Sequence, residues 1–516
     1  MKTFKTIKLT PDGPNESFSR LTYQKEYELM AHVDILDTTI RDGQQALWGM
    51  RMKAGMALPV APIIDRTGYS VIDLTASSLF EVLVRHCQEN PWEGMDLLVE
   101  AMPRTPKRAG MRSNAAVSFG ITPDALMDAW MRQLAVHGCR SFWVYDVLFN
   151  MDKMLRLAKL AKDCNSTCAG ALMFTLSPVH TDEYYADKVE KLAASPDIDS
   201  ILIYDTAGVL EKERLSTLIP ALKAVARGKP IEMHANNILG QSGKAYLDAV
   251  ELGVTVLHTS TRPLANGPAV PSTQMFVHNL EMLGHTHDID VSLLDPVAKH
   301  FEKVGRAAGY LVNQNNEYDV LAVQHQVPGG MVGTFKANLA QHGMEERLED
   351  VLRETAIVRR ELGYPGMATP FSQIVGIQAV LNIVSGERYS VVTDEVIAYA
   401  AGFYGEMVAP IDPNVLDKIM ASKRAKEVVA NPPENPSIEE LRKRHGTDDD
   451  DELILRALVP EADLEKMRAS GPVQRSYPLL SSPELDQVQQ LMKMTKSPAV
   501  QVKLGKMQVE LYRQGL

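Results

Sequence analysis

At 516 residues the chain exceeds one small domain, and at about 100–200 residues per domain it predicts two or three units, or one large barrel with an appendage. A composition of 45% hydrophobic and 23% charged residues excludes a fibrous or disordered chain, and no apolar run approaches the roughly 18 residues of a membrane span. The net charge of −11 argues against nucleic acid and anionic membrane as partners, because the basic runs KRAG and LRKRHG are short.

The opening MKTFKTIKLTPDGP has lysines but no apolar core, so it does not read as a signal peptide, and a cytoplasmic location is expected. Residues 1–28 read as an N-terminal extension. Beyond them, short β-prone runs alternate with stretches long enough for a helix. In the first half they are VDILD (33–37), VIDLT (71–75), a weak run near Gly110–Arg112, and SFWVYD (141–146). The second half continues with GALMFTL (170–176), SILIYD (200–205), IEMHA (231–235) and TVLHTS (255–260). Apolar runs bounded by turns and alternating with helices predict βαβ units, and eight of them predict a (β/α)8 TIM barrel over residues 29–290.

Catalytic groups of such barrels sit at the C-terminal strand ends. Here those ends carry Asp37 to Asp42, Asp73, Arg112, Asp146, Tyr204 with Asp205, His234, and Thr259 with Ser260. Asp73 and Asp146 read equally as helix N-caps or functional groups, and His258 reads as a satisfied core histidine. Cys87, Cys139, Cys164 and Cys168 lack zinc-finger spacing and disulfide density, so buried thiols are expected.

From about residue 290 the pattern turns helical, which predicts a second, helical domain over 291–470. NPPENPS (431–437) is a proline-rich break, TDDDDE (447–452) reads as a solvated loop, and residues 471–516 read as a tail with helical patches.

The most specific segment is DTTIRDGQQ (37–45), which packs carboxylates, an arginine and amides behind the first strand. Asp42 suits a hard cation and Arg41 suits a carboxylate, although the two side chains could also simply pair with each other. This segment resembles the DTTxRDAHQS of biotin-dependent carboxyltransferases, the family of pyruvate carboxylase, the oxaloacetate decarboxylase α chain and the transcarboxylase metal-binding subunit. ENPWEG (89–94), SPVHTDEYY (177–185), PLANGPAVPST (263–273), VPGG (327–330) and ATPFSQIVGIQAVLNIVSGERY (368–389) continue the resemblance in order, from about residue 33 to about 470.

The resemblance implies a barrel followed by a helical funnel. It also implies that CO2 moves between carboxybiotin and the enolate of a 2-oxoacid or related small carbonyl substrate. By position, Arg41 and Gln45 match polar residues of the ketoacid and biotin pocket, Arg112 matches the arginine that holds the substrate carboxylate, and Thr369 matches the threonine that shuttles a proton. A threonine before proline could also merely cap a turn. Asp42 and His234 match two ligands of the family's divalent metal, whether zinc, manganese or cobalt.

Three departures fall in the site. Tyr204 stands in IYDTAG where the family has its carbamylated lysine, and in HANNILG Asn236 and Asn237 replace the second histidine and the next aspartate. No carbamate can form on Tyr204, so a tight metal site is doubtful, and Tyr204 and Asn236 are expected to donate hydrogen bonds to an enolate oxygen instead. Phe119 for a tyrosine, Met331 for a glutamine, and TASSLFE (75–81) for WGGATFD make the substrate pocket less polar.

Within the tail, LMKM (491–494) places Lys493 as a biotinylation candidate. It lacks the preceding Glu-Ala and an upstream strand, so biotin is expected on a separate carrier protein. With no GxxxxGK[ST] loop in the chain, a separate biotin carboxylase subunit is expected as well, and a homodimer by resemblance. Two alternatives stay open: a biotin-independent decarboxylase or lyase of the same barrel, and a structural paralogue that has abandoned the chemistry.

Overall fold

The computed structural model describes residues 30–116, 120–478, 499–504 and 507–512. Eight parallel strands close into a barrel: β1 (Asp34–Asp37), β2 (Val71–Ala76), β3 (Lys107–Arg112), β4 (Cys139–Tyr145), β5 (Thr167–Met173), β6 (Ser200–Asp205), β7 (Ile231–Ala235) and β8 (Val256–Thr259). Closure comes from β8, whose residues Val256 to Thr259 pair with Asp34 to Asp37 of β1. The eight runs read from the sequence are these eight strands. Two differ in extent: β5 begins at Thr167 rather than 170, and β3 begins at Lys107, ahead of its weak apolar signal.

Every residue of β3 and β6 is buried, as expected of strands covered by helices outside and packed side chains inside. Lys107 and Arg108, which read as a surface basic run, are therefore interior. The Lys107 ammonium donates to the carbonyls of Met102 and Thr105, and Arg108 reaches into the lumen.

Helices follow from Leu294 to Ala469 with few breaks, and residues 432–437 carry no regular structure, as the prolines predict. The acid run is not a loop. Asp449 caps the helix Asp450–Leu458 by accepting from the Glu452 amide at 2.8 Å, and Asp450, Asp451 and Glu452 fill its first turn, where the helix dipole favours negative charge. Nor are the described tail residues helical: Ala499–Leu504 (β9) and Met507–Tyr512 (β10) pair as an antiparallel hairpin. Lys493 lies outside the described residues. Cys87, Cys139 and Cys168 are buried, Cys164 is half-buried, and all four are free thiols. Among the described residues no helix is long and apolar enough to cross a membrane.

The helical segment docks on the barrel mouth. Arg359, on the helix Leu348–Glu361, donates to Thr175 Oγ1 at 2.8 Å and to the Leu176 carbonyl at 2.9 Å, just beyond β5. Thr206, just beyond β6, donates to the Met367 carbonyl at 3.1 Å. These bonds fix the loop that carries Thr369 over the mouth.

Candidate active site at the barrel mouth

The turn after β1 sets the site. Thr39 to Gly43 form one π-helical turn, all buried, and the Thr38 hydroxyl caps it by accepting from the Asp42 amide. Such wide turns recur at functional sites because they redirect consecutive side chains. Gly43 closes the turn against the loop after β8, where a Cβ would lie 2.4 Å from the Leu264 carbonyl oxygen.

Arg41, 1% exposed, is the centre. Its Nε donates to Asp73 Oδ2 at 2.7 Å, and its Nη1 donates to Asp42 Oδ1 at 3.2 Å and to the Tyr204 hydroxyl at 3.0 Å. Arg41 and Asp42 do pair, but the shorter bond goes to Asp73. That resolves Asp73 as the group that orients Arg41 rather than a helix cap. Burial alone would depress the guanidinium, yet Asp73, Tyr204 and Asp42 raise it well above its ordinary value, so it is a fixed cation.

Four rings stand in a row beside it. Tyr145 stacks on Trp143 at 5.0 Å, Trp143 on Tyr204 at 4.7 Å, and Tyr204 on His234 at 4.2 Å, with interplanar angles of 10° to 17°. Trp143 and Tyr204 meet across β5 because the residues of β5 that face the lumen alongside them, Ala169 and Ala171, are small. The opposite face, at Gly170, packs on Leu192 and Ile198. Gly110 on β3 makes room for the indole: a Cβ there would lie 2.5 Å from Trp143 Cζ2.

Arg41, Gln45, Arg112, Trp143, Tyr204 and Thr369 line a cavity of about 60 Å³, with Ala76, Ser77, Ser78, Met173 and Ala368 among its other walls. At about 10–15 Å³ per water-sized probe that is room for roughly four to six small groups. Three of the lining residues each carry a buried polar atom without a hydrogen-bond partner: Arg41 Nη2, Gln45 Oε1 and Trp143 Nε1. Buried polar groups are normally paired, so two donors and an acceptor are left for a ligand. Arg112 also donates to the Ala116 carbonyl at 3.0 Å.

The cavity thus gathers Arg41, Gln45, Arg112, Tyr204 and Thr369 from the sequence reading. Asp42, His234 and Asn236 stand behind Arg41 and Tyr204 and do not line it. Asn236 Nδ2 donates to Asp42 Oδ2 at 3.0 Å, so that amide is already engaged. Met331 is buried on the helix Gly329–Ala340 away from the lining, and Phe119 lies outside the described residues. Asp146 accepts from Ser113 and from the Leu148 amide, and Asp205 accepts from the amides of Ala207, Gly208 and Leu210, so both organise their own loops. Trp143, Tyr145 and Gly110 are site residues the sequence reading missed. The alternation in SFWVYD places Trp143 and Tyr145 on one face of β4, but which face meets the lumen is a matter of register.

The divalent metal implied by the resemblance finds a poor donor set. Asp42 Oδ1 and His234 Nε2 lie 3.5 Å apart, but burial keeps the Tyr204 phenol protonated, its oxygen already accepts from Arg41, and Asn236 is neutral. One carboxylate shared with an arginine supplies neither the ligand number nor the charge that a divalent ion needs, so these residues do not fit the metal. Among the described residues the one trio of clustered His, Asp or Glu donors is His32, Asp34 and Asp288, exposed at the opposite end of the barrel.

Comparison with known proteins gives the following. The family described as a conserved carboxylase domain matches residues 322–510. A pyruvate carboxylase component of Methanocaldococcus jannaschii, the B chain of a multi-subunit enzyme, is 31% identical over 443 residues, covering 84% of this chain and 78% of that protein. The 2-oxoglutarate carboxylase large subunit of Hydrogenobacter thermophilus is 29% identical over 438 residues, covering 83% and 67%. The carboxyl transferase domain of Rhizobium etli pyruvate carboxylase, solved with pyruvate, superposes with a TM-score of 0.80 at 20% identity, over 98% of this chain and 89% of that one. That last likeness concerns the fold.

Proposed function

The chain belongs to the biotin-dependent carboxyltransferase family that includes this archaeal pyruvate carboxylase component, and from that membership we propose that it moves CO2 between carboxybiotin and the enolate of a small 2-oxoacid. The observation that carries this reading is the trio of unpartnered buried atoms, Arg41 Nη2, Gln45 Oε1 and Trp143 Nε1, around a cavity that also holds Arg112 and Thr369. Two arginines suit the carboxylate and keto oxygen of such a substrate. The names of the relatives, for pyruvate and for 2-oxoglutarate, point to the same substrate class.

When bound, carboxybiotin supplies the CO2 and takes up one proton at its ureido nitrogen. Arg112 holds the substrate carboxylate. Arg41 and Tyr204 donate to the keto oxygen, which gains negative charge as the substrate's C3–H bond breaks. Tyr204 suits this role because its oxygen accepts from Arg41, which polarises the phenol and leaves its own proton for an acceptor. The Thr369 hydroxyl gives its proton to the ureido nitrogen and receives the one lost from C3, so it is regenerated. C3 of the enolate then forms the new C–C bond with CO2. No step requires the family's metal.

The same reading assigns the biotin carrier and the biotin carboxylase to separate partner subunits, the working form to a homodimer in the cytoplasm, and residues 29–290 and 291–470 to the barrel and the helical unit. The test is reconstitution with a biotin carboxylase and a biotinylated carrier, following label from bicarbonate into pyruvate and into 2-oxoglutarate. Labelled product that requires the carrier is expected. Product formed equally well without the carrier, or none from any 2-oxoacid, overturns the reading.

A further inference from the structure

Beneath the mouth a chain of buried polar side chains crosses the lumen, and the carboxyl-transfer steps do not use it. Arg108 on β3 reaches Glu232 on β7, with Nη1 2.6 Å from Oε2 and Nη2 3.2 Å from Oε1, while its Nε donates to Ser141 on β4 at 2.9 Å. Ser200 on β6 donates to Glu232 Oε1. Glu232 Oε2 also lies 3.0 Å from His258 Nε2 on β8, and His258 Nδ1 lies 3.3 Å from His234 Nδ1 on β7. Arg108, Glu232, His258 and His234 are all at most 5% exposed. A barrel interior is usually filled by branched apolar side chains, so a polar layer of this extent calls for a role.

The protons can be placed from the partners. Glu232 accepts from a guanidinium on both oxygens, and although burial opposes its charge, Arg108 and His258 hold it well below the usual carboxylate range. An ionised carboxylate only accepts, so His258 Nε2 carries hydrogen. Two arrangements of the Nδ1 to Nδ1 contact remain. In one, His258 is an imidazolium and donates, which buries a second cation beside Arg108 against a single carboxylate. In the other, His258 is neutral and accepts from His234 Nδ1–H. Burial pushes His258 down to about 4, which selects the neutral form. His234 Nε2 is then a bare lone pair. It has no hydrogen-bond partner, and it faces Asp42 Oδ1 at 3.5 Å.

We propose that Arg108, Glu232 and His258 are positioning residues that lock His234 as its Nδ1–H tautomer, presenting Nε2 and Asp42 Oδ1 as two facing acceptors. His234 gives no proton to Asp42, so Asp42 draws its hydrogen bonds from Arg41, Asn236 and its own turn, and the Nη1 edge of Arg41 stays pinned between Asp42 and Tyr204. The link to turnover rests on the carboxyltransferase reading; the tautomer itself does not.

The experiment is long-range proton–nitrogen correlation NMR on the full chain labelled with 15N-histidine, at neutral pH after chelator treatment, with signals assigned through single-histidine variants. The expected wild-type pattern is His234 protonated at Nδ1 and bare at Nε2, with His258 the reverse. His258→Leu should move the His234 proton to Nε2, where Asp42 accepts it, and His258→Gln, whose amide oxygen still accepts, should restore the wild-type pattern. A wild-type His234 protonated at Nε2 or at both nitrogens overturns the proposal, as does a His234 spectrum that His258→Leu leaves unchanged. If His258→Leu does not fold, the wild-type and His258→Gln spectra decide, and neither depends on carboxylation activity.

Discussion

The Tyr204 hydroxyl accepts a hydrogen bond from Arg41 Nη1 at 3.0 Å, which ties the turn after β1 to the end of β6 and sets a neutral phenol where relatives are expected to carry a carbamate. Tyr204→Phe removes that oxygen and keeps the ring in its stack. Loss of one preorganised donor to an oxyanion costs about 10²-fold in kcat, and a fall of that order with little change in KM is expected in the reconstituted carboxylation assay.

Thr369 forms part of the cavity wall on a loop that Thr206 anchors. Thr369→Ala should lower kcat by about 10²–10⁴-fold, the usual worth of a positioned proton carrier. Thr369→Ser should retain most of the rate. Unfolding temperatures of both variants should match wild type, and an active alanine variant would favour a purely structural role for the chain.

Trp143 presents an unpartnered indole N–H beside the cavity. Trp143→Phe keeps an aromatic wall and deletes the donor, so KM for the 2-oxoacid should rise while the protein stays folded. Gly110→Ala tests the same wall from behind. Its new methyl collides with the indole, and a stability loss of roughly 1–3 kcal/mol by chemical denaturation is expected, the usual cost of overpacking.

Asp42 and His234 make too small a donor set for a tight divalent site. Protein purified without chelator or immobilised nickel should carry well under one equivalent of zinc, manganese or cobalt by plasma mass spectrometry. Dialysis against a chelator should leave turnover unchanged. A full equivalent that is lost together with activity would refute the hydrogen-bonding mechanism.

His137 joins the barrel to the C-terminal helices. Its Nδ1 meets Asp96 at 2.6 Å, its Nε2 meets Asp451 at 3.0 Å, and its ring stacks on Trp92 at 4.6 Å. The hydrogen bond to Asp451, with that to Asp96, raises its pKa from 6.5 to about 9. A raised folded-state pKa stabilises fully below 6.5, and that contribution disappears as pH climbs through 9. It is worth about 1–2 kcal/mol once the exposure of both aspartates is allowed for. Thermal unfolding should therefore weaken between neutral pH and pH 10, and His137→Gln should flatten that part of the profile.

The barrel was legible because strands covered on both faces leave continuous apolar runs, and all eight do so except β3. That strand begins with Lys107 and Arg108, and the carboxylate that makes Arg108 tolerable inside is Glu232, 124 residues further on. No local pattern can announce such a pair. The acid run was legible and misread: Asp449 followed three residues later by Glu452 is a helix start. Thr369 entered through resemblance alone, since nothing in its own surroundings distinguishes it from a turn residue. The aromatic row needed registers across three strands, and its members come from SFWVYD, SILIYD and IEMHA, runs that each read simply as strand.

That row has a consequence for selectivity. Flat rings stacked face to face have few alternative rotamers, and each is braced by the next, so this side of the cavity behaves as a stiff backstop of fixed depth. A substrate longer by one or two carbons gains no room there and has to extend toward Ala76, Ser77 and Ser78, where the side chains are small. Any drift in substrate range among close relatives of this chain should therefore be written in that short stretch after β2, with the rings left in place.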